Sequence, residues 1–173
     1  TLVSARAGNV IGGGDWSENR IVPDVVRASI GNKSLQLRHP TATRPWQHVL
    51  EPLSGYLLIG SKILSSKSVL RDAYNFGPSP GEPRTVRDVV KAIGSELGCD
   101  LQIEEGDDIS FHEANLLRLS IDRAQTELGW HPTWDFHETM AETGTWYRRV
   151  LDGESAAEVT NSQIRKFFGE FDR

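Results

Sequence analysis

The pattern of apolar residues predicts strands in two short segments of the chain. Leu2 to Ala7 is a short apolar run that stops at Gly8, which is typical of a buried strand in a parallel sheet. Residues 73–76 (Ala-Tyr-Asn-Phe) predict a second strand, which ends at Gly77-Pro78. Residues 35–38 (Leu-Gln-Leu-Arg) alternate between apolar and polar side chains instead, which predicts a half-buried strand.

Helical spacing of apolar residues predicts helices between these strands. Residues 21–30 have Pro23 near their start and Gly31-Asn32 at their end, the usual asymmetry of helix boundaries. A longer helix begins at Leu50. Thr85 and Asp88 resemble a capping pair at the start of a helix that ends at Gly98.

The last third of the chain predicts three more helices and weaker strands. One helix, capped by Ser120 or Asp122, would end at Gly129, and another would run from the cap at Asp135 and Glu138 to Gly153. Short strands are expected within 101–108 and 116–119. The terminal helix would dock through an apolar face made of Ile164, Phe167, Phe168 and Phe171. The alternation of strands and helices predicts an α/β protein.

Composition excludes several classes of protein. The chain has 173 residues, enough for one domain with a core, and a net charge of −5, so we expect neither nucleic acid nor an anionic membrane as a partner. Cys99 is the single cysteine, which excludes an intrachain disulfide. No apolar run is long enough to span a bilayer and no signal peptide is visible, so we expect a cytoplasmic protein. The five histidines form no ligand pair, so we expect no metal.

A glycine-rich segment follows the first predicted strand. Gly8, Gly12, Gly13 and Gly14 fit neither the dinucleotide fingerprint nor a phosphate-binding P-loop, and Asp15 adds negative charge. A flexible turn is one interpretation of these glycines. A ligand-binding loop is the other, because open α/β sheets bind ligands at the carboxyl ends of their strands.

Two longer motifs resemble the CDP-glucose 4,6-dehydratases, which are extended short-chain dehydrogenases/reductases. They are Arg6 to Trp16 (RAGNVIGGGDW) and Arg44 to Leu57 (RPWQHVLEPLSGYL). Further similar segments follow in the same order as in that family: 74–78, 112–115, 128–132 and 163–164. The words GGGDW and RPWQH distinguish this family from dTDP-glucose dehydratases and UDP-galactose epimerases.

The resemblance implies that the chain is the C-terminal half of such an enzyme. It would contain the last strands of a Rossmann-type parallel sheet and a smaller mixed α/β region that binds substrate. Residues 1–7 and 50–77 would belong to the sheet and its covering helix. Residues 8–49 and 78–173 would form the sugar-nucleotide-binding region.

The resemblance also implies roles for individual residues. Asn9 and Arg44 match positions that contact the substrate diphosphate, and amide and guanidinium groups suit phosphate oxygens. The remaining matches are Arg38 near the ribose or phosphate, Arg20 and Pro23 near the base, His112 and Glu113 near the phosphates, and Arg6 and Ala7 beside the NAD cofactor. The alternatives are a turn role for Asn9, a solvent-facing role for Arg20, Arg38 and Arg44, and a structural role for His112.

The activity implied by the resemblance is a lyase reaction on CDP-glucose. NAD accepts a hydride from C4, water leaves across C5 and C6, and the hydride returns to C6, which yields CDP-4-keto-6-deoxyglucose, a deoxysugar precursor for lipopolysaccharide. No lysine lies four residues after Tyr56, Tyr74 or Tyr147. We therefore expect the catalytic groups upstream of residue 1 and expect this chain alone to be inactive.

Three alternatives to this function remain open. They are another nucleotide-sugar dehydratase, an epimerase, and a non-catalytic module that binds sugar nucleotides. The full enzyme is expected to be a homo-oligomer, either a dimer or a tetramer.

Overall fold

Six short strands form three parallel pairs in the computed structural model, which describes residues 2–65, 70–81, 83–105 and 119–169. The strands are β1 (Ser4–Ala7), β2 (Asn9–Ile11), β3 (Leu35–Leu37), β4 (Trp46–His48), β5 (Ala73–Phe76) and β6 (Ile103–Glu105). β1 pairs with β5, β2 with β4, and β3 with β6. The predicted strands at 2–7, 35–38 and 73–76 are confirmed, whereas β2 and β4 have no counterpart in the sequence prediction.

Within the ranges that the structure describes, five α-helices connect and cover these strands. They are α1 (Ile21–Gly31), α2 (Leu50–Ser65), α3 (Val86–Glu96), α4 (Phe136–Leu151) and α5 (Ala156–Phe168). The chain therefore has the mixed α/β architecture that its pattern predicts.

Local side-chain and backbone groups fix the ends of several helices. Asn32 adopts a left-handed conformation with φ 46° and ends α1. Thr85 accepts a hydrogen bond from the Asp88 backbone and Asp88 accepts one from Thr85 in return, which makes a capping box at α3. Asp135 and Glu138 form the same arrangement at α4. These caps satisfy backbone N–H groups that the first turn leaves unpaired.

The first strand is more exposed than its sequence predicts. Ser4, Ala5 and Arg6 are exposed and Ala7 is half-buried. Among the strands of the described ranges, β1 pairs with β5 alone. The prediction of a buried strand is therefore wrong for β1 in this chain, because its pairing with β5 leaves Ser4, Ala5 and Arg6 exposed.

The principal core lies between α1, α3 and α4. It contains Val25, Val26, Val89 and Ile93, which are fully buried. A second cluster packs α2 against β5 through Ile59, Tyr74 and Phe76, with Trp130 from the later segment. Trp46 of β4 belongs to the first cluster, and Gln47 of β4 donates a hydrogen bond to Phe76 of β5, so β4 contacts both regions.

The predicted helix that ends at Gly129 is confirmed: residues 124–128 form a π-helical turn that stops at Gly129 with φ 69°. The predicted face of the terminal helix is corrected. In α5, Val159, Gln163 and Phe167 are the buried residues. Ile164 and Phe168 are 37% and 43% exposed, so the predicted docking face is wrong for both, and Phe171 lies outside the described residues. Residues 106–108 and 116–118 also lie outside them.

Gln163 explains the error in the docking face of α5. Its amide donates to the main-chain oxygen of Glu142 at 2.7 Å, which compensates for the burial of a polar side chain. A search for apolar residues alone therefore selects the neighbouring face. In the part of the chain that the structure describes, no helix is long and apolar enough to cross a membrane.

Candidate functional site

The carboxyl end of the β1–β5 pair meets the β2–β4 pair at one carbonyl oxygen. The backbone N–H of Gly8 and the Nε2 of Gln47 donate to the carbonyl of Phe76, at 3.2 Å and 2.8 Å. Gln47 is 1% exposed. These bonds join the β1–β5 pair to the β2–β4 pair and create the edge at which an open α/β sheet binds ligands.

Asn9 and Arg44 lie on neighbouring segments at this edge. The N–H of Asn9 donates to the carbonyl of Pro45 at 3.1 Å, and Asn9 is in register with Trp46. A Cβ at Gly8 would lie 2.6 Å from the Pro45 oxygen, so only glycine allows this close approach. The structure thus places Asn9 opposite Trp46, two residues after Arg44, so the segments of the two predicted diphosphate ligands are adjacent.

Hydrogen bonds fix the segment that contains Arg44 and Trp46. Its Nη1 donates to the carbonyl of Thr43 at 2.9 Å, and the residue is half-buried. Trp46, two residues later, is 7% exposed and its indole N–H donates to the carbonyl of Arg84 at 3.1 Å. The segment that carries Arg44 is therefore partly buried.

The glycine-rich segment packs against α4. A Cβ on Gly13 would lie 2.0 Å from Cδ2 of Trp146, and a Cβ on Gly12 would lie 2.9 Å from Cγ1 of Val49. Gly14 has φ +84°, where other residues are strained. Gly12 and Gly13 therefore leave space for the side chains of Val49 and Trp146. Neither the flexible-turn nor the ligand-loop interpretation of the sequence included this packing role.

The next residues form a loop, 15–19, that is fixed by hydrogen bonds. The hydroxyl of Tyr147 donates to the carbonyl of Asp15 at 2.6 Å. Arg27 donates to the carbonyls of Trp16 and Ser17 at 3.0 Å and 3.1 Å. Burial raises the pKa of Tyr147 to about 12, so its hydroxyl keeps the proton that it donates at neutral pH.

Arg20 and Arg38 both contact this loop. The Nη1 of Arg20 lies 3.2 Å from Oδ2 of Asp15, and the Nη2 of Arg38 donates to Oδ1 of Asn19 at 3.1 Å. Pro23 is buried in the first turn of α1. The two arginines that the sequence associates with the base or ribose therefore flank one surface loop, whereas Pro23 lies beneath that surface in the core.

The predicted cofactor residues lie at the end of β1. Arg6 is exposed and in register with Asn75, and Ala7 is half-buried and in register with Phe76. His112 and Glu113 lie outside the described residues, so their roles stay predictions.

Glu51 is a buried carboxylate that the sequence analysis does not identify. It is 1% exposed, and its oxygens accept hydrogen bonds from the backbone N–H groups of Thr133, at 3.1 and 3.0 Å, and Trp134, at 2.7 Å. Burial raises its pKa, and these hydrogen bonds oppose that effect. The carboxylate thereby links the first turn of α2 to the start of α4. In the sequence it resembles any acidic residue at a helix N-terminus.

His48 is one of the five histidines of the chain, and the sequence assigns it no role. It is 1% exposed, its Nδ1 accepts a hydrogen bond from Leu50 N–H at 3.3 Å, and its ring packs edge-on against Trp134. Burial lowers its pKa to about 4, partly opposed by the charge of Glu142. His48 is therefore neutral at pH 7 and does not provide a cation for a phosphate. Within residues 2–65, 70–81, 83–105 and 119–169, no group of three metal-ligating side chains occurs.

Known proteins similar to this chain are nucleotide-sugar enzymes. It is 36% identical over 166 residues to CDP-glucose 4,6-dehydratase of Salmonella typhimurium, which covers 96% of this chain and 46% of that protein. It is 24% identical over 151 residues to UDP-glucose 4-epimerase 3 of Oryza sativa, covering 80% and 38%. The chain therefore spans less than half the length of these relatives. No family model matches it.

Solved structures show the same fold at lower sequence identity. dTDP-glucose 4,6-dehydratase from Bacillus anthracis, solved in complex with NAD, superposes with a TM-score of 0.70 at 22% identity, over 87% of this chain and 46% of that one. An epimerase from Methanothermobacter thermautotrophicus gives 0.74 at 20% identity, over 92% and 45%. The chain thus has the fold of part of an extended short-chain dehydrogenase/reductase, and over nearly all of its length it is a relative of CDP-glucose 4,6-dehydratase.

Proposed function

We propose that the protein is a CDP-glucose 4,6-dehydratase and that this chain supplies the half that binds the substrate. The observation that carries the proposal is the pairing of the Asn9 backbone with Pro45, next to Arg44, at the carboxyl edge of parallel strands. The 36% identity to the Salmonella enzyme supports the choice of reaction and substrate. The product would be CDP-4-keto-6-deoxyglucose, formed for deoxysugar biosynthesis in the cytoplasm by a homo-oligomer.

Asn9 and Arg44 are the proposed ligands of the substrate diphosphate. A guanidinium group donates two parallel hydrogen bonds to phosphate oxygens, and a carboxamide donates through its NH₂. Because the chain has a net charge of −5, an anionic substrate needs such local cations. Arg20 and Arg38 would lie on the nucleoside side, with Pro23 beneath them, and His112 and Glu113 would lie near the phosphates.

The described residues fit one end of an NAD molecule. Ala7 and Gly8 are small residues at the carboxyl end of the β1–β5 pair, and the buried Oε1 of Gln47 beside them has no hydrogen-bond partner among the residues described. When bound, NAD supplies hydride acceptance and return. Arg6 and Ala7 would lie beside it. We assign no catalytic residue to this chain and expect the 173 residues alone to lack dehydratase activity.

Calorimetry with three nucleotide sugars tests the proposal. CDP-glucose should bind more tightly than UDP-glucose and dTDP-glucose. Arg44→Ala should weaken CDP-glucose binding by about tenfold to 100-fold, because hydrogen bonds to charged groups contribute about 1.5–3 kcal/mol. Arg165→Ala, an exposed arginine of α5, is the matched control and should leave affinity unchanged. Equal affinity for the three sugars would contradict the cytidine assignment, and normal binding by Arg44→Ala would contradict the site.

A different nucleotide-sugar dehydratase or an epimerase is the second candidate, supported by the 24% identity to the rice epimerase. Mass analysis of the product separates these reactions. Dehydration removes one water molecule from the sugar, whereas epimerisation leaves its mass unchanged. A non-catalytic module would bind the sugar nucleotide and form no product.

A further inference from the structure

Trp16 differs from the other tryptophans of the chain in its exposure. It is 47% exposed, whereas Trp46, Trp130, Trp134 and Trp146 are each 7% exposed or less. Exposing a large aromatic ring to water is unfavourable, and such rings on a surface are enriched where a partner binds. The exposed indole belongs to loop 15–19, between the proposed diphosphate ligand Asn9 and helix α1.

The backbone around this indole is fixed on both sides. Tyr147 donates to the carbonyl before it, and Arg27 donates to the carbonyls of Trp16 and Ser17. The indole also contacts Tyr147 edge-on, with ring centroids 5.3 Å apart and planes at 90°. Nearly half of the side chain stays open to solvent although its position is held. A rigid aromatic surface of this kind binds a flat ligand with little loss of conformational entropy.

The charges beside the indole indicate the chemistry of the ligand. Arg20 and Arg38 are both tied to loop 15–19, through Asp15 and Asn19. The side chain of Arg20 is 66% exposed and Arg38 is exposed as well, so both guanidinium groups are accessible. An aromatic face beside accessible guanidinium groups suits a nucleoside phosphate, since the ring stacks on the base and the cations attract the phosphate.

We propose that the nucleoside base of the substrate stacks on Trp16, with Arg20 and Arg38 on its ribose and phosphate side. This inference rests on the proposed function and assigns a side chain to the base. Asn9 and Trp16 bound the same segment, 9–16, so one stretch of chain would contact both the diphosphate and the base. The glycines between them keep that stretch against α4.

Calorimetry of the protein with CDP and with glucose 1-phosphate tests the stacking. Trp16→Ala should weaken CDP binding by about fivefold to 100-fold, because stacking on an aromatic side chain contributes about 1–3 kcal/mol per base. It should leave glucose 1-phosphate, which has no base, unaffected. Trp16→Phe should restore most of the CDP affinity. Phe168→Ala, which removes another exposed aromatic ring, should change neither.

Acrylamide quenching of tryptophan fluorescence gives a second measurement. Because Trp16 alone among the tryptophans is substantially exposed, it should account for most of the quenching, and saturating CDP should protect it. Normal CDP affinity in Trp16→Ala, or quenching that CDP does not change, would overturn the inference. If Arg44→Ala still weakened CDP binding, the proposed function would stand without it. Failure of the wild-type protein to bind CDP-glucose would refute both.

Discussion

At the scale of single residues, His48 shows how burial determines charge. Its ring is enclosed by Trp134 and the first turn of α2, and its pKa falls from 6.5 to about 4. The Nε2 atom has no hydrogen-bond partner among the described residues. Protonation would place an uncompensated charge in this environment, so folding favours the neutral ring.

The stability of the protein should therefore decrease in acid through His48. Between pH 6.5 and about pH 4 the unfolded chain binds a proton at this residue and the folded chain does not. The free energy of unfolding should fall by about 3 kcal/mol over this window. Urea unfolding at a series of pH values should show a smaller decrease in His48→Gln than in the wild type.

The exposed His137 provides the control for this measurement. His137→Gln should keep the pH dependence of the wild type, because its imidazole is open to solvent. Identical pH profiles for His48→Gln and the wild type would show that His48 does not contribute.

At the scale of elements, the close packing of the glycine-rich segment on α4 has a direct consequence for substitution. Gly13→Ala should destabilise the protein by about 1–3 kcal/mol, because the new Cβ would overlap the ring of Trp146 and both elements would have to shift. Thermal or urea unfolding measures this change.

Gly60 in α2 is the matched control for that substitution. Nothing lies within 4 Å of a Cβ at this position. Gly60→Ala should stabilise the protein by up to about 1 kcal/mol, since alanine favours the helix more than glycine does. Equal effects of the two substitutions would mean that the contact with Trp146 does not explain Gly13.

Elements whose ends are set by neighbouring residues could be predicted from the sequence. Elements that depend on contacts with distant parts of the chain could not. Thr85 with Asp88, and Asp135 with Glu138, locate two helix starts because a cap needs only its own neighbours. β2 and β4 have three residues each and owe their pairing to segments far apart in the chain. The structural role of Gly13 likewise depends on Trp146, which no local pattern reveals.

The candidate site was predictable in part for the same reason. The resemblance selected Asn9 and Arg44, and the strand register brings their segments together. Trp16 was visible within the GGGDW word, but its exposure could be known only from the fold. Glu51 could not be found, because its partners are backbone N–H groups more than 80 residues later.

At the scale of the whole molecule, α2 presents an exposed apolar stripe. Leu53, Leu57 and Leu64 share one helical face and are 43%, 67% and 87% exposed. The opposite face packs on Phe76, where Gly55 allows close approach. Contiguous apolar surface of this kind is typical of regions that contact other protein surfaces.

We expect the 173-residue polypeptide, prepared by itself, to bind the dye ANS through this stripe. Leu57→Lys combined with Leu64→Lys should lower the dye fluorescence and reduce self-association measured by light scattering. Ile30→Lys changes a residue of α1 that is 58% exposed and outside the stripe, so it should have little effect. Unchanged dye binding in the double variant would show that ANS binds to a different apolar surface of the polypeptide.

The carboxylate of Glu51 connects helix α2, which follows the Arg44 segment, to the turn that precedes α4. Its oxygens accept hydrogen bonds from the turn before α4. Tyr147, in the second half of that helix, contacts loop 15–19 through Asp15 and Trp16. A tilt of α4 would therefore strain the helix that follows Arg44 and displace the indole at the same time. We therefore expect substitutions at residues 131–134, which are remote from the proposed contact residues, to alter the nucleotide affinity proposed for this surface.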